Sequence, residues 1–103
     1  MFRVSALYAN VDGARFDFEY YRHSHFPMVL ELLAPFGALR FEIDRGLAAA
    51  DGGKPPFVAL GHLVVESAER LTQGLALHGS RMAADVTNFT NIAAQVQVSE
   101  IIS

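Results

Sequence analysis

The chain has 103 residues, room for a single domain over 1–103, and a composition of 51% hydrophobic and 18% charged residues. That is more apolar material than a body of this size hides easily, so an apolar cavity and a second surface buried against a partner copy are both expected. The net charge of −3 and eight scattered basic residues, with Lys54 the one lysine, leave no clustered footprint for nucleic acid, and the lack of cysteine excludes disulfides, thiolate nucleophiles and cysteine-based metal sites.

Residues 2–8 alternate, with Phe2, Val4, Ala6 and Tyr8 on one side, and read as a strand. No charged leader with an apolar core precedes them, and no apolar run approaches the roughly 20 residues that cross a bilayer. A cytoplasmic location without membrane contact is therefore expected. Asn10-Val11-Asp12-Gly13 supplies turn chemistry. Asp17 is placed to cap a helix running to about Leu33, with Glu19 in its first turn where a carboxylate suits the dipole. Pro27 lies inside this helix and removes one backbone donor, which predicts a kink or break near Ser24. Pro35 and Gly37 stop it. Leu39, Phe41 and Ile43 alternate with Arg40, Glu42 and Asp44 as a half-buried strand, and residues 50–56 form a Gly- and Pro-containing loop. The following stretch, 57–65, is apolar on both faces and belongs at the centre of a sheet. Ser67 caps a second helix, predicted to end near His78 with Gly79 just beyond it. Residues 81–91 have no regular pattern, and 95–101 close the chain as a strand.

The order β-α-β-β-α-β is the split βαβ arrangement of ferredoxin-like α+β domains, a four-stranded antiparallel sheet with two helices on one face. The other face, carrying either Phe57, Ala59, Leu63 and Val65 or Val58, Leu60 and Val64, would be bare and apolar. A homodimer packed through that sheet face would cover it.

At roughly 100° per residue, Phe18, Tyr21, His25, Met28, Val29 and Leu32 share one stripe of the first helix, with His25 near its middle. An imidazole changes charge near neutral pH, and a neutral ring in a water-poor pocket is a good general base. The competing reading is a core histidine with both nitrogens hydrogen-bonded. His23, two residues earlier, diverges from His25 on a helix, so no metal site is expected. Tyr21, one turn before His25, can line the same pocket and offer its hydroxyl, or simply pack. His62 alternates with apolar residues on the central strand and suits a structural, interfacial or functional role alike. His78 falls at the predicted end of the second helix, where the dipole favours its cation. The polar stretch Asp85-Val86-Thr87-Asn88-Phe89-Thr90 either makes its own turn or rims a pocket, with Phe89 as wall and Asp85 and Asn88 as polar contacts. No Ser-His-Asp, phosphate-loop or dinucleotide motif is present, and Gly52-Gly53 lacks the strand-turn-helix context of a phosphate cradle.

Two stretches taken together carry a family resemblance. Phe16-Asp17-Phe18-Glu19-Tyr20-Tyr21-Arg22-His23-Ser24-His25-Phe26-Pro27 resembles the Tyr-Tyr…His-x-Pro helix of the EthD family, named for ethyl tert-butyl ether degradation. Residues 84–90 and 95–101 resemble its closing Asp-x-x-Asn-Phe-Thr turn and final strand. The resemblance implies a ferredoxin-like monomer pairing into a dimeric α+β barrel, with a cleft between helices and sheet into which His25 points. Relatives on that fold include isomerases of lactones and enzymes tailoring aromatic polyketides. By that analogy the expected ligand is a small apolar organic acid, lactone or aromatic ketone. The expected activity is that of a cofactor-independent isomerase, lyase or oxygenase, with His25 as base and Tyr21, Asp85, Asn88 and Phe89 around the substrate. The alternative is a non-catalytic dimeric accessory or binding protein of a degradation pathway or monooxygenase system. No cofactor is expected, with haem held by a histidine as the remaining possibility.

Overall fold

The computed structural model describes Met1–Ser103. Strands β1 (Phe2–Ala9), β2 (Ala38–Arg45), β3 (Phe57–Val65) and β4 (Gln95–Glu100) form one sheet of order β2-β3-β1-β4 with every pairing antiparallel. Helix α1 is built from α-helical Phe18–Tyr20 and Phe26–Leu33 joined by a π-helical turn, Tyr21–His25, and helix α2 spans Ala68–Asp85. This is the β-α-β-β-α-β arrangement that the alternation of apolar residues predicts. As expected, β3 is a central strand.

The helix starts follow from side-chain capping. Asp17 Oδ1 accepts from the Tyr20 N–H at 3.0 Å and Ser67 Oγ from the Arg70 N–H at 3.2 Å, each satisfying a donor that the first helical turn leaves free. At the far end of α1, a 3₁₀ turn over Ala34–Phe36 leads into Gly37 at φ +94°, a left-handed conformation that favours glycine.

Pro27 produces a wide turn in place of a sharp kink. Without its N–H the α ladder cannot continue, and the Phe26 N–H reaches back to the Tyr21 carbonyl, five residues away. The consequence is a shifted stripe. Tyr21, His25, Phe26, Val29 and Leu33 are buried, while Phe18, Met28 and Leu32, assigned to the stripe by a regular wheel, are half-buried. A five-residue turn puts both His25 and Phe26 on the inner side and rotates everything after it by about one residue.

Helix α2 also departs from expectation. It continues past Gly79 to Asp85 and passes into a 3₁₀ turn over Val86–Asn88, so His78 lies within the helix and not at its end. The reason is periodic: Leu71, Leu75, His78 and Met82 keep helical spacing across the glycine, and Gly79 costs only about 1 kcal/mol there. Gly74 has a packing reason, since a Cβ there would sit 2.8 Å from Leu33 Cδ2 and Phe36 Cγ where the helices meet.

On the helix-facing side, the sheet presents Val4, Ala6, Tyr8, Gly61, Leu63 and Val96. The opposite side carries Val58, Leu60, His62 and Val64 of β3, but it is more polar than a bare apolar face. Ser5 Oγ bonds His62 Nδ1 at 2.8 Å and Asp44 Oδ2 bonds His62 Nε2 at 3.2 Å, a row across three strands. Val64, in register with both Arg3 and Arg40, is only 1% exposed. The Ser5–His62–Asp44 row has the residue types of a nucleophilic triad. Ser5 is buried and lines none of the cavities, so the row reads as cross-strand stapling.

Candidate functional site

The two helices do not close completely over the sheet. Between them and strands β1, β3 and β4 lies a cavity of about 270 Å³ lined by 17 residues, 15 of them hydrophobic. Leu71, Leu75 and Met82 of α2 form one side, and Tyr21, His25, Phe26, Val29 and Leu33 of α1 another. Val96 and Val98 stay exposed because the helices do not extend over β4, which leaves the cavity open toward that edge. His25, 7% exposed, brings an imidazole to this apolar wall.

Its Nδ1 lies 2.9 Å from Asp85 Oδ2. The other carboxylate oxygen, Oδ1, accepts from the Tyr20 hydroxyl at 2.7 Å and from the Asn88 amide at 3.0 Å, and Asn88 Nδ2 also reaches the Tyr20 hydroxyl oxygen at 3.3 Å. Burial pushes the Asp85 carboxyl upward, but hydrogen bonds from Tyr20, Asn88 and His25 outweigh it and hold the group below its ordinary value. Asp85 is thus ionised at neutral pH and accepts only. The His25 Nδ1 therefore carries the hydrogen in this pair.

The second nitrogen, His25 Nε2, has no hydrogen-bond partner within the protein. Arg3 Nε is the one buried side-chain polar atom both sealed from solvent and unpaired. The unpaired Nε2 of His25 consequently keeps some contact with open space, and His25 is among the residues that line the cavity.

Aromatic rings fix the imidazole plane. Tyr21 stacks on it at 5.6 Å with 14° between the planes, and Phe89, fully buried, packs at 4.6 Å. The Tyr21 hydroxyl runs to the backbone of β3, where Gly61 has no Cβ to obstruct it. Burial pushes Tyr21 and its neighbour Tyr8 above the usual phenol range, and the proximity of Tyr8 adds to the shift at Tyr21. The Tyr20 hydroxyl is raised too, first by its hydrogen bond to Asp85.

The turn that carries Asp85, Asn88 and Phe89 is pinned to the entrance of α1. The Asp17 N–H donates to the Phe89 carbonyl at 2.7 Å, Thr90 Oγ to the Arg15 carbonyl at 2.7 Å, and Asn91 Nδ2 to the Gly13 carbonyl at 3.0 Å. Those bonds hold residues 85–91 against the helix that supplies His25, so the His25–Asp85 distance is set by backbone as well as side chains.

All five residues singled out in the sequence, Tyr21, His25, Asp85, Asn88 and Phe89, meet here. Asp85 and Asn88 are occupied with each other and with Tyr20 and His25, and Tyr21 is 1% exposed. Tyr20 is the member that sequence reasoning missed; its signal is the doubled tyrosine, one ring for the core and one for Asp85. His23 is exposed and pairs with Glu19 at 3.2 Å, clear of His25. No group of three or more His, Cys, Asp or Glu side chains is arranged to hold a metal ion. His62 belongs to the opposite side of the sheet, and His78 packs edge-on against Phe36 at 6.1 Å.

The sheet order, the two helices on one side and the cleft between them define a ferredoxin-like α+β domain. An EthD-like protein from Ralstonia eutropha JMP134 is 35% identical over 99% of this chain and 92% of its own, with a TM-score of 0.91, and the chain belongs to the EthD family. An ethyl tert-butyl ether degradation (EthD) family protein from Bacillus halodurans C-125 superimposes with a TM-score of 0.75 at 19% identity, covering 99% of each chain. A dimeric ferredoxin-like protein from an uncultured marine organism shares the fold at 9% identity and a TM-score of 0.62, covering 100% of this chain and 96% of its own. No family model matches the sequence, and no curated protein matches it.

Proposed function

We propose that the protein binds a small, largely apolar organic molecule in the helix–sheet cavity and that His25 acts on it as a general base. The observation that carries this reading is the unpaired His25 Nε2 on a cavity wall that is otherwise almost wholly hydrophobic. Apolar lining favours a carbon-rich body by excluding water, and one polar atom sets its orientation. A neutral imidazole backed by a carboxylate can take a proton, because Asp85 stabilises the imidazolium that forms. Among small organic acids, lactones and aromatic ketones, the substrates suited to this are those with a hydroxyl or enolisable hydrogen to give up, and the chemistry is isomerisation, elimination, or oxygenation by dioxygen, begun by proton removal. Phe89 and Tyr21 hold the ring; Asp85 and Asn88 orient it.

The test is turnover of a panel of such compounds by the protein and by His25→Gln. A fall of about 10²–10⁴-fold in the variant, with binding retained, supports the base. Binding without turnover in either protein gives the site to the rival reading, a non-catalytic accessory or carrier protein.

We further propose a homodimer through the sheet face that carries Val58, Leu60 and Val64. Val58 and Leu60 are half-buried on that face in the single chain, and a second copy would cover them, with Arg40 and Glu42, paired at 3.1 Å, at its β2 side. That the marine protein of the same fold is described as dimeric is in keeping with a pairing of two copies. Sedimentation at twice the 11.3 kDa chain mass is the expected result, and a monomer at micromolar concentration refutes it.

A further inference from the structure

We infer that the Asp85–Tyr20–Asn88 network locks His25 in one tautomer and so selects the class of ligand: a neutral molecule that donates a hydrogen bond, such as a phenol or an enol. The inference rests on the cavity reading above and deepens it. Asp85 has two oxygens and both are committed, Oδ2 to His25 Nδ1 at 2.9 Å and Oδ1 to Tyr20 and Asn88 at 2.7 and 3.0 Å. A carboxylate only accepts, so Nδ1 holds a hydrogen, and in the neutral ring Nε2 is left with its lone pair.

The ligand's polar group must therefore bring the hydrogen. Within the classes proposed above, a ketone or ether with no hydroxyl arrives with a lone pair facing a lone pair and leaves Nε2 unsatisfied. A carboxylate is disfavoured twice, since it lacks the hydrogen and carries the same sign as Asp85 behind the ring. A phenol or enol meets both conditions. If its proton is transferred, the imidazolium lies between Asp85 and the new oxyanion, and no bond other than O–H is broken.

The network also predicts what its disruption does. Tyr20 and Asn88 both donate to the Oδ1 position. In Asp85→Asn the amide oxygen must stay there to receive them, which turns the amide nitrogen toward His25. Two donors cannot face each other, so Nδ1 loses its hydrogen and Nε2 gains it. The cavity then presents a donor, and its preference inverts.

Nitrogen NMR of the histidine-labelled protein reads the tautomer directly, and titration with para-cresol, para-methylanisole and acetophenone reads the preference. In the unmodified protein the expected results are an Nδ1–H signal for His25 and para-cresol bound about tenfold more tightly than para-methylanisole. In Asp85→Asn the signal moves to Nε2–H, and acetophenone gains on para-cresol by about the same factor. An Nε2–H signal in the unmodified protein, or equal binding of para-cresol and para-methylanisole at the cavity, overturns the tautomer lock and leaves the cavity reading standing. If none of the three compounds shifts the resonances of Leu63, Met82 and Val96, the cavity reading falls and the lock with it. Should Asp85→Asn fail to fold, the tautomer and the cresol-to-anisole ratio of the unmodified protein decide the matter.

Discussion

Alanine at position 61 would add a Cβ in direct overlap with the Tyr21 hydroxyl and 2.8 Å from Phe26 Cε2. Neither ring has room to retreat. Tyr21 is 1% exposed and wedged against Phe16, Phe26 and Phe89, and Phe26 stacks on Phe41 at 5.0 Å. Overpacking of this kind costs about 1–3 kcal/mol. Replacing a strand glycine returns roughly 0.5–1 kcal/mol of backbone entropy. The net expectation is a loss of about 1–2 kcal/mol, or about 5–15 °C in Tm for a domain of this size. Thermal and urea unfolding of Gly61→Ala measure it. Tyr21→Phe in the same background removes the overlapping oxygen, so the double variant should recover part of the loss and show a coupling that two independent sites would lack. A Gly61→Ala protein as stable as the parent, or one that Tyr21→Phe does not rescue, refutes the close approach of Tyr21 to β3.

Gly79 offers the opposite case within one chain: a Cβ there meets nothing within 4 Å, so Gly79→Ala should raise stability by about 0.5–1 kcal/mol in the same unfolding assay. Asp85 titrates below its ordinary value when folded, so its contribution is complete above the unfolded pKa of about 4 and is lost as pH falls through the lower folded value. The stability gap between the parent and Asp85→Asn should be flat above about pH 5 and close below about pH 4. All three tyrosines are raised when folded, so their contribution is present below the unfolded pKa of about 10 and lost as pH rises through the folded values. Tyrosinate absorbance should therefore lag behind that of free tyrosine and appear together with loss of near-ultraviolet dichroism. Ionisation of all three near pH 10 with the fold intact would contradict their burial and bonding.

The parts of the molecule written in short-range pattern are the parts a reader of the sequence can find. Period-two alternation marks the first two strands and a continuous apolar run the third, and Asp17 and Ser67 give the helix starts because capping involves residues only three apart. The π turn is harder to read. Pro27 signals an interruption, but whether the chain kinks or widens is decided by the sheet and by Phe89, which favour burying His25 and Phe26 together. The length of α2 was hidden by Gly79, a local penalty that burial along Leu71, Leu75 and Met82 overrides. His25 was recognisable from its apolar surroundings and its Phe-Pro sequel. Its bond to Asp85 spans 60 residues of chain and depends on how the turn at 85–91 docks on residues 13–17. Tyr20 joins the site through that docking alone.

The wide turn of α1 can be viewed as a surplus residue. A regular helix of the same span would need one residue fewer between Tyr21 and Val29, and its inward positions would pass from Tyr21 to the next turn without room for both an imidazole and a phenyl ring. Deleting any one of Arg22, His23 or Ser24 would restore that regular pitch with Phe26 and all that follows in register, and would turn His25 outward, away from a carboxylate that three donors now satisfy. The polar point in the cavity is in this sense an insertion held in place. One extra residue, stabilised by the missing N–H of Pro27, lets a single helix serve a packed core at one end and a bonded imidazole at the other.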